Sequence, residues 1–221
     1  MTEVATEIGL DRSYAHALLR SRRSIRWYRH EPVAADVLDR ILISAGRAPS
    51  AHNRQPWRYL VLTDTAGKDA LARSMGSRLA DDRRRDGDPE MAIRDDVERS
   101  YRRIVGAAVV IIVALTMKPM DRYPDAARSR AEYLMAVQST AMATQNLLLA
   151  AHAEGLGACW MCAPLFCQLE VRRILGTPKD WEPQGLITMG YPASEPPSAK
   201  SRRTILDFVK FKSSPAGVED V

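Results

Sequence analysis

Two short runs of the sequence contain the residue types best suited to hold a phosphorylated, ring-bearing ligand. The first run, residues 22–26 (RRSIR), places three guanidiniums and a hydroxyl within a very short stretch of chain. Arginine is a planar, permanently charged donor whose geometry matches phosphate oxygens. The second run, residues 48–57 (APSAHNRQPW), is small, kinked and rich in amides, which suits backbone packed against a flat polar ring. Together they predict a clamp for a phosphorylated heterocyclic cofactor, and flavin mononucleotide (FMN) is the first candidate.

Each run alone is also compatible with an ordinary structural role. The first could be a basic surface patch at a helix end, and Pro49, Ser50 and Asn53 could simply be turn formers. A distant basic cluster that contains Lys200 and Arg202 favours the clamp, because two clusters can converge on one phosphate and neutralise both its charges. The second run also leads directly into an expected strand, which is a common position for ligand contacts.

The three cysteines, Cys159, Cys162 and Cys167, raise the possibility of a redox site or a metal site. A thioredoxin-like redox pair needs a thiol at a helix N-terminus within a βαβ unit, and the sequence around Ala163 and Pro164 does not indicate one. A metal or iron–sulfur site lacks a fourth ligand, because no histidine lies nearby in the sequence. We therefore interpret the thiols as buried and unreactive, and we predict no metal site.

Motifs and charge exclude several further classes. The four histidines are scattered, without a nucleophile and an aspartate partner, which argues against a hydrolytic triad. Neither a G-x-G-x-x-G motif after a strand nor a P-loop is present, so a nicotinamide cofactor would not sit in a Rossmann domain. The net charge of +5 favours anionic partners, but the charges are interspersed and no nucleic-acid-binding motif occurs. We expect neither nucleic acid nor membrane as a partner.

Length and hydrophobicity indicate one compact unit. A chain of 221 residues with 46% hydrophobic content can bury a substantial core. No secretory signal is visible at the start, and the longest apolar run, residues 104–115, is too short to span a bilayer. Three cysteines are too few for a disulfide framework. We predict a single domain over residues 1–221, located in the cytoplasm.

Hydrophobic periodicity predicts the elements that position the two runs. Helices are expected over residues 11–21, 33–47, 66–79, 126–154 and 168–175, and strands over residues 57–63, 107–116, 158–161 and 185–191. The strand at 107–116 is apolar and β-branched, which is typical of burial on both faces. The charge-dense residues 81–96 are either a solvated surface loop or helix, or a mobile flap that meets an anionic substrate. The pattern predicts an α+β fold, with helices around a mixed central sheet of four to five strands.

Four stretches together resemble the nitroreductase family of flavin enzymes. They are residues 22–26, residues 48–57, the helix end at 145–157 (QNLLLAA followed by GLG) and KSR at 200–202. The resemblance implies a three-layer nitroreductase-like fold and a domain-exchanged homodimer with FMN at the interface. It also implies that a hydride donor such as NAD(P)H reduces FMN at N5 and that a small-molecule acceptor then takes the hydride from the same position. Flavin N5 would carry the chemistry, with no catalytic side chain.

The resemblance also implies roles for individual positions. The basic residues would hold the phosphate, ribityl and pyrimidine end of FMN, Pro49, Ser50 and Asn53 would come from the partner subunit, and the backbone at 161–163 would lie beside N5. Many relatives have glycine at or next to position 162, so Cys162 is a departure from the pattern. The implied cofactor-binding residues are Arg22, Arg23, Ser24, Arg26, Pro49, Ser50, Asn53, Met161, Cys162, Ala163, Lys200 and Arg202.

Within the family, residues 122–132, 155–166 and 180–192 resemble the FMN-binding reductase half of the bifunctional enzyme that completes coenzyme F-420 synthesis. That half reduces the dehydro precursor of the deazaflavin coenzyme. The likeness implies a large anionic acceptor, for which basic residues such as Arg78, Arg83 and Arg84 are the expected contacts. The alternatives are a broad NAD(P)H-dependent nitro or quinone reductase on the same fold, and a flavin- or nucleotide-binding module without turnover.

Overall fold

A four-stranded antiparallel sheet forms the centre of the computed structural model, which describes residues 11–210 and 212. The strands, in the spatial order β1-β2-β4-β3, are β1 (Trp57–Leu62), β2 (Val109–Leu115), β3 (Gly157–Met161) and β4 (Glu182–Gly190). All three neighbouring pairs are antiparallel, so the expectation of a mixed sheet is wrong for these strands. A parallel pairing occurs as an isolated bridge between Ser24 and Ala158.

The connection between β1 and β2 accounts for this difference. Two helices, α3 (Thr65–Arg85) and α4 (Glu90–Val105), form a hairpin there. A single crossover helix would return the chain for a parallel strand, whereas a helical hairpin returns it to the end of the sheet that it left. Accordingly, Trp57 at the start of β1 pairs with Leu115 at the end of β2, and the two strands run in opposite directions. The sequence pattern did not predict α4, and without it the direction of β2 could not be inferred.

Helices cover both faces of the sheet, which gives the expected three layers. The remaining helices are α1 (Arg12–Ser21), α2 (Ala35–Ala45), α5 (Ala126–Ala153) and α6 (Gln168–Leu175). Along β2, Val109 and Ile111 pack in a core with α2 and α5, whereas Val110 and Ile112 pack in a core with α3, α4 and α6. Every residue of β2 is buried. The predicted strand with two buried faces is therefore confirmed.

The charge-dense segment 81–96 is helical at both ends. α3 continues through it to Arg85, and α4 starts at Glu90. Gly87 in the intervening turn has φ 82°, a left-handed conformation that glycine adopts readily. The segment therefore has the form of a surface helix pair. No helix in residues 11–210 combines the length and the apolarity needed to cross a membrane.

Candidate functional site

The first basic run leaves the end of α1 and passes along the edge of the sheet beside β3. The backbone N–H of Ile25 donates to the carbonyl of Ala158 at 3.1 Å. Gly157 permits this approach, because a Cβ there would lie 2.6 Å from the Cβ of Ile25. Ile25 is buried in the core between its charged neighbours. The packing of one apolar side chain thus positions Arg22 and Arg26.

Tyr28 anchors the same segment at a second point. Its hydroxyl lies 2.6 Å from the carbonyl oxygen of Ile25 and 2.9 Å from that of Thr188. Burial raises the pKa of this hydroxyl, so it stays protonated and can donate. The next residue, Arg29, donates its backbone N–H to the carbonyl of Tyr191 at 2.8 Å. The first basic run is therefore held at two points, by a hydrogen bond to β3 and by hydrogen bonds at the end of β4.

Arg22 and Arg26 of the first run and Arg103 of α4 all act electrostatically on Cys159, and Arg26 and Arg103 line one cavity. Burial raises the pKa of the Cys159 thiol, and Arg26, Arg103 and Arg22 act against that shift. In the part of the chain that the structure describes, none of these arginines forms an ion pair with a carboxylate. Unpaired guanidiniums that converge in this way favour an anion. We call Arg22, Arg26 and Arg103 the arginine cluster.

Arg103, on the last turn of α4, contains the buried hydrogen-bond donor of the cluster that lacks a partner. Its Nε is buried and has no hydrogen-bond partner. Burial, followed by the charges of Arg26 and Arg99, lowers the pKa of Arg103. A cavity of about 350 Å³ opens at this position, with Ser24 and Trp27 also in its wall. An exposed carboxylate, Glu195, lines the cavity as well but makes no ion pair with the cluster within the described residues.

The segment expected beside the reactive flavin atom follows directly after β3. Met161 ends the strand, and a short 3-10 turn (Ala163–Phe166) begins after Cys162. The indole Nε1 of Trp160 donates to the Cys162 sulfur at 3.0 Å. The Trp160 ring packs against Gly185, where a Cβ would lie 2.3 Å from the ring. Tryptophan packing therefore holds the geometry at the end of the strand.

The three thiols are not equivalent. Cys159 and Cys167 are buried, as expected, and burial raises the pKa of Cys167 to about 11. Cys162 is exposed, so the expectation of burial is wrong at that position, because the chain turns outward where β3 ends. Within residues 11–210, no group of three or more histidine, cysteine, aspartate or glutamate side chains is arranged to hold a metal ion.

The second run forms an exposed loop with unusual backbone geometry. Three residues with side chains, His52, Asn53 and Gln55, have φ between 48° and 54°. Left-handed conformations are uncommon for such residues and are often found where a loop contacts a ligand or partner. The Ser50 hydroxyl accepts from the Gln55 backbone N–H at 3.1 Å, and Pro49 and Asn53 remain exposed. Hydrogen bonds within the loop therefore stabilise its conformation, and the loop is exposed to solvent.

This loop does not reach the arginine cluster of its own chain. Its polar contacts with other parts of the described chain run to Ser139, through the Ala51 backbone N–H at 3.3 Å, and to Asp121, through Arg54. The Pro56 carbonyl also accepts from the Thr116 backbone N–H at 2.9 Å. No hydrogen bond or ion pair in the described chain joins residues 49–53 to residues 22–26 or 159–163. An arrangement in which the loop serves a partner's site stays a prediction.

The second basic cluster lies in the exposed chain after β4. Lys200 and Arg202 are exposed and make no hydrogen bond or ion pair with another described residue. The chain before them does reach the first run, because the Ala193 backbone N–H donates to the Trp27 carbonyl at 3.2 Å. Convergence of the two basic clusters on one phosphate stays a prediction.

The basic residues expected to contact an acidic substrate, Arg78, Arg83 and Arg84, are all neutralised by neighbours. Each guanidinium forms ion pairs with two carboxylates. The partners are Asp82 (2.8 Å) and Glu170 (3.0 Å) for Arg78, Asp88 (2.6 Å) and Asp96 for Arg83, and Glu90 (2.8 Å) and Asp81 (3.4 Å) for Arg84. Their role in substrate binding stays a prediction, and their paired charges give it no support.

The sequence profile of the nitroreductase family matches residues 19–191. This chain belongs to the nitroreductase family. A relative from Methanothermobacter thermautotrophicus, provisionally named NADH dehydrogenase/NAD(P)H nitroreductase, is 31% identical over 180 residues, which are 80% of this chain and 77% of the relative.

Two solved structures of the family share the fold. A provisionally assigned nitroreductase from Desulfovibrio desulfuricans, in complex with FMN, is 26% identical with a TM-score of 0.67, and the match covers 90% of this chain and 97% of that one. An FMN-dependent nitroreductase from Mycobacterium smegmatis, in complex with NADPH, is 20% identical with a TM-score of 0.70, over 91% and 99% of the two chains. The second likeness concerns the fold alone.

Sequence reasoning missed one member of the arginine cluster. Arg103 lies on α4, the helix that hydrophobic periodicity did not indicate, and about 80 residues from the RRSIR run. One local signal was available, because the last turn of a helix before a buried strand lies at the end of the sheet where that strand begins. The burial of an unpaired guanidinium is nevertheless visible only in the structure.

Proposed function

We propose that this nitroreductase-family protein is an FMN-dependent oxidoreductase that uses NAD(P)H to reduce a small-molecule acceptor. The observation that carries the proposal is the arginine cluster, with its three guanidiniums and no paired carboxylate. Family membership and an FMN-bound relative identify the cofactor that such a site serves.

The residues present fit FMN. Its phosphate is dianionic and accepts several hydrogen bonds, and the cluster offers donors that are otherwise unsatisfied, above all the buried Nε of Arg103. The Ser24 hydroxyl lies in the same cavity wall and adds a neutral donor. We assign Arg22, Ser24, Arg26 and Arg103 to the cofactor, together with Arg23, Lys200 and Arg202 as expected from the sequence.

When bound, FMN would supply the redox chemistry, a hydride transfer from donor to acceptor through its N5. The protein's part is to bind, orient and stabilise charge. Guanidiniums near the cofactor would stabilise negative charge electrostatically, and Ile25 and Tyr28 already hold the backbone segment that carries Arg26. We expect the backbone at residues 161–163 to contact the flavin ring, and the Trp160–Cys162 hydrogen bond supports the position of this segment.

The proposal includes a homodimer in which the exposed 49–53 loop completes the partner's cofactor site. Pro49 and Asn53 are exposed, and the left-handed backbone at His52, Asn53 and Gln55 presents the loop to solvent. A subunit of a domain-exchanged dimer would use such a loop, which forms no hydrogen bond or ion pair with its own arginine cluster within the described residues. Sedimentation of the FMN-loaded protein at twice the monomer mass is the expected result.

Two acceptor classes are compatible with this site. The name of the M. thermautotrophicus relative favours a broad NAD(P)H-dependent nitro or quinone reductase. The sequence likeness over residues 122–132, 155–166 and 180–192 favours the dehydro precursor of the deazaflavin coenzyme. A binding module without turnover is the remaining alternative.

The absorbance spectrum of the purified protein tests the core of the proposal. We expect a yellow protein that NADPH or NADH bleaches without oxygen and that an added acceptor reoxidises. Parallel assays with a nitroaromatic compound and with the dehydro deazaflavin precursor separate the two acceptor classes. A colourless preparation that binds no FMN when the cofactor is added in excess contradicts the proposal, and a yellow protein that no donor bleaches supports the binding module.

A further inference from the structure

A second cationic depression lies away from the arginine cluster, where β2 ends and β4 begins. It has a volume of about 850 Å³. Its walls are the loop after β2, with Lys118 and Arg122, and the end of α6 with the loop that follows, including Arg172 and Lys179. We call it the β2–α6 groove. None of its lining residues belongs to the expected FMN site.

The carboxylates of the groove already have partners. Asp180 pairs with Lys118 at 2.9 Å and accepts from the Thr116 hydroxyl at 2.8 Å. Asp121 pairs with Arg54. Glu182 is held by neutral donors, with Gln184 Nε2 at 3.0 Å among them. The acidic side chains are therefore committed to internal contacts.

The cations of the groove are not balanced in the same way. Arg122 and Lys179 are exposed and form no ion pair with a described residue. Arg172 donates to the backbone carbonyl of Lys179 at 2.8 Å, a neutral acceptor. The lining contains four cations, Lys118, Arg122, Arg172 and Lys179, and three carboxylates, Asp121, Asp180 and Glu182. The groove therefore carries a net positive charge, and three of its cationic side chains form no ion pair with a described carboxylate.

The groove is joined to the loop that the proposed dimer brings to the partner's cofactor. The Arg54–Asp121 pair links residue 54 to the groove wall, and the Thr116 backbone N–H donates to the Pro56 carbonyl at 2.9 Å. A ligand that occupied the groove would thus lie on a wall shared with the 49–53 loop. This position makes the groove suitable for a part of the acceptor that is remote from the reacting ring.

We propose that the β2–α6 groove binds the multiply charged anionic portion, phosphate- or carboxylate-bearing, of an organic acceptor. The role of the bound molecule as an acceptor rests on the proposed function, whereas the binding of an anion in the groove does not depend on it. It replaces the α3–α4 arginines as the site of acceptor recognition, because Arg78, Arg83 and Arg84 are ion-paired and Arg122, Arg172 and Lys179 are not.

Calorimetric titration of the FMN-loaded protein tests this assignment with two probes, inorganic pyrophosphate and citrate. FMN in excess keeps the probes out of the arginine cluster. We expect the double variant Arg122→Gln, Lys179→Gln to bind the preferred probe about tenfold more weakly than the wild type, and added salt to weaken binding in the wild type. Arg84→Gln, which removes an ion-paired arginine on the hairpin, is the matched control and should bind as the wild type does.

The two probes distinguish the sources of the anion. Binding of pyrophosphate alone assigns a phosphate-bearing ligand, and binding of citrate alone assigns a carboxylate-bearing one. Equal binding by the wild type and the double variant, or no binding of either probe, overturns the proposal. The FMN absorbance and thermal unfolding of each variant establish that it is folded and loaded, so a failure of the cofactor proposal is seen separately.

Discussion

The α3–α4 hairpin and the arginine cluster use the same side chain with opposite consequences. On the hairpin, Arg78, Arg83 and Arg84 each contact two carboxylates. In the cluster, Arg26 and Arg103 lie near each other and near a buried thiol, without a carboxylate partner. The place where this protein can bind an anion is therefore marked by arginines that lack a carboxylate partner, and not by a large number of arginines.

The origin of the difference is geometric. Many hairpin pairs are one helical turn apart, such as Arg73 with Asp69, so the helix itself brings the opposite charges together. Exposed pairs of this kind contribute little to stability and serve mainly to balance charge at the surface. The cluster instead joins residues from separate elements around Cys159 in β3, where burial disfavours the thiolate that would balance them.

The largest effect expected from this contrast is a loss of cofactor from Arg26→Ala. Removal of one charge-assisted donor should weaken FMN binding by about 10- to 100-fold. Because a bound cofactor stabilises by mass action, the Tm in excess FMN should fall as well. Arg84→Ala on the hairpin should leave both unchanged. Fluorescence titration with FMN measures the affinities, and an Arg26→Ala protein that purifies with full FMN contradicts the assignment.

Gly157→Ala should disturb the cluster without altering any charge. The new Cβ would meet Ile25, and overpacking of this kind destabilises by about 1–3 kcal/mol. We expect a lower free energy of unfolding in urea and weaker FMN binding. Gly46→Ala is the control, because its Cβ would lie at ordinary contact distance, 3.4 Å from the nearest atom. Unchanged FMN affinity in a destabilised Gly157→Ala protein would mean that Ile25 does not position the arginines.

Arg103→Met should separate stability from binding. The substitution removes a half-buried, unpaired charge, so the Tm of the FMN-free protein should stay equal or rise while FMN affinity falls. Arg102→Met, at the adjacent position, removes an exposed pair with Glu98 and should leave FMN affinity unchanged. Thermal melts without FMN and titrations with it give the two readings. A drop in both for Arg103→Met would indicate a structural role alone.

The smallest predicted effect is a pH dependence that reports the positive potential of the basic run. Burial, then Arg22 and Arg23, lowers the pKa of His152. The unfolded chain therefore binds a proton more readily, and the Tm of the FMN-free protein should fall as the pH drops below about 6.5. His152→Gln, which keeps a partner for Ser21, should flatten this slope. Bound FMN should also flatten it, because its phosphate offsets the two arginines.

Several elements were predictable because their signal is local. The apolar β-branched run at 107–116 became β2, and the long periodic stretch at 126–154 became α5 with a difference of one residue. The two runs that we expect to bind the cofactor stand out by their residue types. The pairing of Arg78 with Asp82, one helical turn apart, can be predicted from the spacing. α4 escaped because its buried positions, Ile93 and Ile104, are sparse among charged residues.

By itself, the sequence determined which residues are suited to bind a phosphorylated flavin and which stretches form the central strand and long helix, because residue chemistry and periodicity act over a few positions. The tertiary structure decided the antiparallel direction of β2, the meeting of Arg103 with Arg26, and the pairing of Arg78 with Glu170. These features join residues far apart in the chain. The packing of the layers sets the distances between these residues, and those distances determine how strongly their charges interact.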